Sequence, residues 1–316
     1  MATYRTKLRT PFFIDHTAGV TAGSSDLTIE INSADVYVLS KDTVSNRATF
    51  EVSELIKDYL SITWDGTFPF TSQVVTATIT QDFFTGSKAT RAAVSENPIV
   101  GQTQTHTLYG FDGYSNFKDG ANHQIVQGSL LQTNTTMYLS ESDVSYVASE
   151  SSNTISYTAI QTTDTTVTVG GIVITIERLC EPVFTLVRVI FINKFGAFQE
   201  LWFNKKSVES LTVQQEEYDA MLVTNNTYST TAPQKIVNNK QGSDKIQLNT
   251  GYVEEGQYEA IKELMLSENV WAKIGSTVYP MKVVTNSLTK KTKVNDRIVN
   301  YTLDMEFAYD VVNNVR

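Results

Sequence analysis

The chain has 316 residues, of which 41% are hydrophobic and 19% charged, too apolar for a disordered chain and low in charge for a soluble enzyme. Its net charge of −9 argues against the basic surface that binds nucleic acid. Residues 81–177 carry 3 basic and 9 acidic side chains, so most of the acidity lies in the middle of the chain. That acidity would suit a channel that DNA traverses without sticking, or would simply favour solubility.

Neither a disulfide nor a targeting segment is expected. The single cysteine, Cys180, cannot form a disulfide within one chain, so we expect assembly in a reducing cytoplasm. The first ten residues contain basic side chains but lack the apolar segment of a signal peptide. The longest apolar run, residues 183–192, is too short to span a bilayer, and no membrane partner is expected.

The first part of the chain reads as strands followed by one short helix. Alternating apolar residues predict strands at residues 27–31, 36–39 and 75–80. Between Glu51 and Leu60 the apolar residues fall at helical spacing, which predicts a helix with Ser53 as its N-cap. We expect this helix to close one end of a β-sandwich.

The middle of the chain changes character. Residues 85–128 are rich in Gly, Asn, Asp and aromatic residues, which predicts loops and short strands. A hairpin is predicted from residues 158–169 and 172–176, with Gly170 and Gly171 in its turn.

The last third of the chain predicts an α+β arrangement. Residues 189–203 read as two strands around a turn that contains Asn193 and Gly196. Further on we expect a strand at 245–251, a helix at 254–266, and hairpins at 270–284 and 288–308. One helix packed on an antiparallel sheet is an α+β domain.

These elements predict a mainly β fold of antiparallel sandwich domains with a few short helices. We expect an N-terminal β-sandwich-like domain over residues 1–205, with a Ser/Thr/Asn-rich insertion at about 85–180. Residues 206–316 are expected to form the α+β domain.

No motif predicts catalysis, a metal or a cofactor. The three histidines show no metal-ligand spacing, and nucleophile-elbow and phosphate-loop patterns are absent. Asp112, Asn116 and Asp119 are either calcium ligands or turn-forming residues. The adjacent acidic pairs at 216–217 and 254–255 would suit a hydrolase poorly, because neighbouring side chains do not face each other. We therefore expect a protein that is not an enzyme.

Three segments carry a resemblance to a known family of proteins. Residues 50–59 fit the pattern F-x-(I/V)-S-x-L-I-x-D-Y, residues 193–197 fit N-x-(F/Y)-G-A between two apolar strands, and residues 299–309 read as a final strand. All three resemble segments of virion proteins of tailed bacteriophages, especially those of Bacteroidetes-type hosts. The resemblance implies a structural subunit of a ring around the DNA channel in the tail, tail tip or neck. It also implies assembly in the host bacterial cytoplasm, and a location in the virion.

The expected partners follow from that resemblance. They are copies of the chain itself in a ring and adjacent tail or neck proteins, with DNA passing without specific binding. An alternative from another class is a carbohydrate-binding or receptor-binding module on the phage tail.

Two sets of residues are candidates for contacts with neighbouring subunits. Aromatic residues interleaved with Gly and Asp in a predicted loop at 105–120 could stack on sugars, anchor an interface or enter the core. Basic residues of the C-terminal hairpin could pair with the acidic segment of a neighbouring copy, contact phosphates or remain solvated. The two sets are Tyr109, Phe111, Tyr114 and Phe117, and Lys290, Lys291, Lys293 and Arg297.

Overall fold

The computed structural model describes residues 2–31, 33–91, 96–115, 135–179, 184–223, 226–291 and 298–311. Two compact units result: residues 1–177 with 191–200 form unit 1, and residues 178–190 with 201–316 form unit 2. Within the described residues there are 21 strands and three helices. The fold is therefore mainly β and of sandwich type, with antiparallel sheets, which confirms the predicted class.

Unit 1 is built on a five-stranded sheet in which alternate side chains are buried. The alternation runs through most of its three central strands because one face of the sheet meets the core. All neighbouring strands are antiparallel except the first pair, which is parallel. In sheet order the strands are β1 (Ala2–Lys7), β7 (Gln104–Phe111), β6 (Val75–Phe84), β3 (Ser24–Ile31) and β4 (Ala34–Asp42).

A second layer completes the core of this unit. It consists of the antiparallel pair β2 (Phe13–Thr17) and β5 (Arg47–Glu51) and of helix α1 (Ser53–Lys57). Leu27, Ile29, Phe50 and Ile56 belong to one buried cluster between these elements. Helix α1 spans Ser53–Lys57 and is shorter than the helix predicted over residues 51–60.

Ser53 does not cap α1, so the N-cap prediction is wrong. The N-cap position is Val52, and no side chain makes a cap hydrogen bond there. Ser53 instead donates its backbone N–H and its hydroxyl to the Glu51 carboxylate. The preceding acidic side chain thus supplies the acceptor that a capping serine would offer.

The middle of unit 1 consists of short strands and one short helix. Gly170 and Gly171, with φ of 59° and 81°, form the predicted turn, and residues 166–169 pair across it with residues 172–175. The predicted first strand, 158–169, is too long, because residues 158–160 belong to a different strand pair. Residues 104–111 form a strand, so the loop predicted over 105–120 is wrong for those positions. The elements are α2 (Lys88–Arg91), the pair β9 (Ser145–Ser151) and β10 (Thr154–Ile160), and the sheet β11 (Thr166–Val169), β12 (Ile172–Leu179) and β8 (Thr136–Ser140).

Unit 2 contains most of a seven-stranded sheet. Its first two strands in sheet order are shared between the units, because the division falls within them. In sheet order the strands are β14 (Phe198–Phe203), β13 (Val187–Ile192), β18 (Val270–Ile274), β19 (Thr277–Val283), β21 (Thr302–Asp310), β16 (Lys235–Asn249) and β15 (Val208–Asp219).

One helix and a two-stranded pair accompany this sheet. Helix α3 (Gln257–Leu266) buries Ala260, Ile261 and Leu264, which confirms the predicted helix with a later start. The pair is β17 (Val253–Glu254) with β20 (Ile298–Val299). The predicted hairpin over 288–308 is wrong, because residues 288–291 form no strand and β21 pairs with β16 and β19.

Candidate functional site

The turn that links β13 and β14 is fixed by the two residues that the sequence singled out. The Asn193 side-chain oxygen accepts hydrogen bonds from the backbone N–H groups of Phe195 and Ala197 at 3.0 and 3.1 Å. Gly196 has φ of 82°, a conformation that costs other residues energy. A Cβ atom there would lie 2.8 Å from the backbone nitrogen of Asp112. This turn therefore has a structural role in unit 1.

The aromatic candidates divide between core and surface. Phe111 is 0% exposed and belongs to a small buried cluster, against which Tyr109 packs while partly buried. Tyr114 is also partly buried, and its ring lies 5.7 Å from the Arg9 guanidinium. Phe117 lies outside the described residues. Phe111 is therefore a core residue and has no surface to offer a neighbouring subunit, because strand β7 points it inward.

The two described basic candidates are exposed but already make contacts. Lys291 Nζ donates to the Asn300 carbonyl oxygen at 2.7 Å and lies 5.5 Å from the Tyr301 ring. Lys290 Nζ lies 5.8 Å from the Tyr258 ring. Lys293 and Arg297 lie outside the described residues. The two described lysines therefore cover aromatic rings of unit 2, and their remaining exposed surface faces solvent.

Among the described residues, no group of three or more His, Cys, Asp or Glu side chains could hold a metal ion. Asp112, one of the proposed calcium ligands, is buried, while Asn116 and Asp119 lie outside the described residues. In the same part of the chain, no helix is long and apolar enough to cross a membrane.

The fold brings together two histidines that lie 90 residues apart in the sequence. The rings of His16 on β2 and His106 on β7 have planes 10° apart and centroids 4.7 Å apart, and they share a hydrogen bond of 2.6 Å between their Nε2 atoms. Burial lowers the pKa of both rings, while the charge of Asp15 opposes the effect at His16. Spacing rules missed this pair because it joins the two layers of the sandwich.

An aromatic cluster in unit 1 borders a small surface groove. Trp64 lies in an irregular segment, with its ring 5.3 Å from that of Phe68. The groove is about 250 Å³ in volume and is lined by Trp64, Pro69, Asp65 and three threonines. Hydrogen bonds from Thr67 lower the pKa of Asp65, so this carboxylate stays charged.

The least expected feature of the structure is a β-ribbon formed by β15 and β16. All twelve residues of β15 are exposed, on both of its faces. The strand pairs with β16 along nearly its whole length, and no other described strand neighbours it in the sheet. Among the described residues of unit 2, therefore, none covers this strand, although Leu211, Val213 and Tyr218 are each more than half exposed.

The ribbon leaves one edge of the seven-stranded sheet open. The opposite edge strand, β14, is almost entirely buried, whereas β15 presents its outer backbone groups to solvent. Acidic residues flank the middle of β15, at Glu209 on one side and at Glu216, Glu217 and Asp219 on the other, and the register with β16 shifts between Gln214 and Glu216. Residues 210–214 are therefore the uncharged and regularly paired part of the open edge, the part best suited to pairing with another strand.

Sequence reasoning missed the ribbon because residues 209–222 mix strand and helix signals. A strand exposed on both faces has no buried side, so the burial-driven alternation that marks a strand is weak. The available signal was the uncharged stretch at residues 210–215, in which Thr212 and Val213 are β-branched.

No protein-family model matches this chain, and no curated protein gives a match to it.

Proposed function

We propose that this chain is a structural component of a tailed-phage virion that forms part of a ring in the tail or tail tip. In this role it contacts neighbouring subunits around the DNA channel and performs no catalysis. The proposal is supported by the resemblance of residues 50–59, 189–203 and 299–309 to phage virion proteins and by one structural observation, the open edge strand β15.

The open edge favours assembly for a physical reason. An isolated two-stranded ribbon is only marginally stable in water, so a long ribbon gains from a surface that packs against it. Leu211 and Val213 expose apolar surface on a strand whose outer backbone groups have no strand to pair with. A strand from a neighbouring subunit that pairs with β15 would cover the apolar side chains and bond the outer backbone groups. In such pairing, main-chain hydrogen bonds give affinity and alternate side chains give specificity.

A ring requires β15 of one copy to contact a different surface of the next copy, because pairing between two β15 edges would close a two-fold dimer. The opposite edge strand, β14, is almost entirely buried, so that second surface lies elsewhere on the neighbour. Contacts between two different surfaces repeat head to tail, and they close into a ring when the rotation allows it. The low proportion of charged residues, 19%, also suits a subunit whose surfaces meet other subunits.

The test compares two lysine substitutions in sedimentation velocity of the full chain. Val213→Lys places a charge on the open edge, and Val173→Lys places one on β12, which has strands on both sides. The two valines are similarly exposed, at 52% and 59%, so the control matches the change in surface chemistry. We expect Val213→Lys to weaken association at least about tenfold, because burying an unpaired charge costs more than about 1.4 kcal/mol.

If both variants associate as tightly as the unmodified chain, the open edge of β15 takes no part in assembly. Equal weakening by both variants would also contradict it, because the effect would then follow charge rather than position.

The alternative, a carbohydrate-binding or receptor-binding module, is favoured by the Trp64 groove. A partly exposed indole ring next to threonine hydroxyls and a charged carboxylate offers both a stacking surface and polar contacts. A glycan array probed with the unmodified chain and with Trp64→Ala tests this alternative. Binding that Trp64→Ala abolishes would support it, and an array without a hit would count against it.

A further inference from the structure

We infer that the far end of the ribbon of one copy inserts into an apolar groove on unit 2 of a neighbouring copy. This inference rests on the proposed function, because it specifies how copies of the chain contact each other. It concerns three exposed residues beyond β15, which we call the tip: Met221, Val223 and Tyr228.

The tip has the composition of a contact surface. Met221 is 90% exposed, Tyr228 is 66% exposed and Val223 is about half exposed. Residues 220–234 include no charged side chain, and their polar residues, mostly Thr and Asn, are those that turns ordinarily contain. Exposed Met and Tyr side chains are typical of binding surfaces, where they pack against irregular apolar pockets.

The groove lies at the opposite end of the ribbon, on the face of the seven-stranded sheet. It has a volume of about 610 Å³ and is lined by side chains from strands β15, β16, β18, β19 and β21. Tyr279 and Phe307 form its aromatic floor, with ring centroids 5.3 Å apart and planes at 88°. The other apolar lining residues are Leu211, Ile274, Tyr309 and Val311.

The size and the charge of the groove fit the tip. Pockets of roughly 300–1,000 Å³ enclose small ligands, so this groove holds a few side chains but not a whole strand. Its rim is acidic, at Glu209, Asp244 and Asp310, while Lys245 lies 3.8 Å from Glu306. An uncharged tip meets no repulsion there, whereas the acidic stretch at Glu216 and Glu217 would.

The distance between the tip and the groove of one molecule indicates that the tip in the groove belongs to another copy. Leu211 lines the groove, and β15 ends at Asp219, eight residues further along the strand. At about 3.3 Å per residue, the end of the strand lies about 26 Å from the groove along the ribbon. The paired ribbon holds the tip away from the groove, and no tip residue lines the groove in this structure, so a tip that fills it comes from a second molecule.

The inference is also continuous with the edge contact. Glu209 and Leu211 belong to both the groove and the open strand β15. A neighbour that pairs with the edge is therefore positioned beside the groove. The two contacts together would cover the apolar surface that the ribbon leaves exposed.

Disulfide cross-linking between two different single-cysteine variants of the full chain tests the inference. Cys180 is first replaced by Ser, since it is the only cysteine. Tyr228→Cys and Val311→Cys are then mixed under mild oxidation, so that only an intermolecular bond joins the two variants. The control mixture pairs Tyr252→Cys with Val311→Cys, because Tyr252 is similarly exposed, at 71% against 66% for Tyr228, and lies elsewhere on unit 2.

We expect the mixture of Tyr228→Cys and Val311→Cys to form a mixed dimer at least about tenfold faster than the control mixture. We also expect Tyr228→Asp to weaken association of the chain, whereas Tyr252→Asp should not. Cross-linking no faster than in the control, in a chain that still assembles, would overturn the tip contact alone. An unmodified chain that stays monomeric at every concentration would overturn the self-assembly in the proposed function as well.

Discussion

Replacing Gly196 by Ala tests how the turn between β13 and β14 is held, and Gly171→Ala provides a matched control. Both glycines lie in the left-handed region, with φ of 82° and 81°. A Cβ atom at Gly171 meets nothing within 4 Å, whereas at Gly196 it would lie 2.8 Å from Asp112 N and 2.9 Å from Phe111 Cβ. The two variants therefore share the backbone strain and differ in the steric clash.

The magnitudes follow from that difference. A residue with a Cβ atom in the left-handed region costs about 1–2 kcal/mol, which is the whole loss expected for Gly171→Ala. Overpacking against buried neighbours adds about 1–3 kcal/mol, so Gly196→Ala should lose about 2–5 kcal/mol. Phe111 is fully buried and Asp112 nearly so, which leaves these neighbours little room to move.

Urea denaturation followed by far-ultraviolet circular dichroism measures both losses, taken from the transition of unit 1, which contains both glycines. The reasoning would be refuted if the two variants lost the same free energy of unfolding, because the clash would then contribute nothing. A larger loss for Gly171→Ala would refute it as well.

Two further predictions concern buried polar groups in unit 1. Burial lowers the pKa of His16 and His106 below the ordinary value of 6.5, so the unfolded chain takes up protons first and stability is lost as the pH falls through about 6.5. Urea midpoints at about pH 7.5 and about pH 5.5 should differ less in His106→Gln than in the unmodified chain, and an unchanged difference would contradict the assignment. Glu150→Gln should cost about 3 kcal/mol, because it removes the buried carboxylate that lies 2.9 Å from Arg5 Nε. A loss below about 1 kcal/mol in the same denaturation assay would show that this ion pair is not needed.

Local signals predicted the elements that local chemistry decides. The turn at residues 193–196 was predictable because Asn accepts hydrogen bonds from the following backbone and Gly adopts positive φ. Two adjacent glycines marked the turn at 170–171, and apolar residues at helical spacing marked α3. In each case the deciding contacts lie within a few residues of one another.

Features set by distant contacts could not be predicted in the same way. His16 and His106 meet only because two layers of the sandwich pack together. The sequence predicts residues 288–291 as the first strand of a hairpin with the last strand, yet β21 pairs instead with the distant strands β16 and β19. The β15 ribbon lacks a buried face, which is the feature that hydrophobic periodicity detects.

The most direct test of the assembly account is the light-scattering mass of the purified full chain, with negative-stain images of the same fraction. The account predicts a closed ring whose mass is a whole-number multiple, above two, of 35.2 kDa. A mass of one chain over the whole accessible concentration range, with no rings in the images, would contradict it.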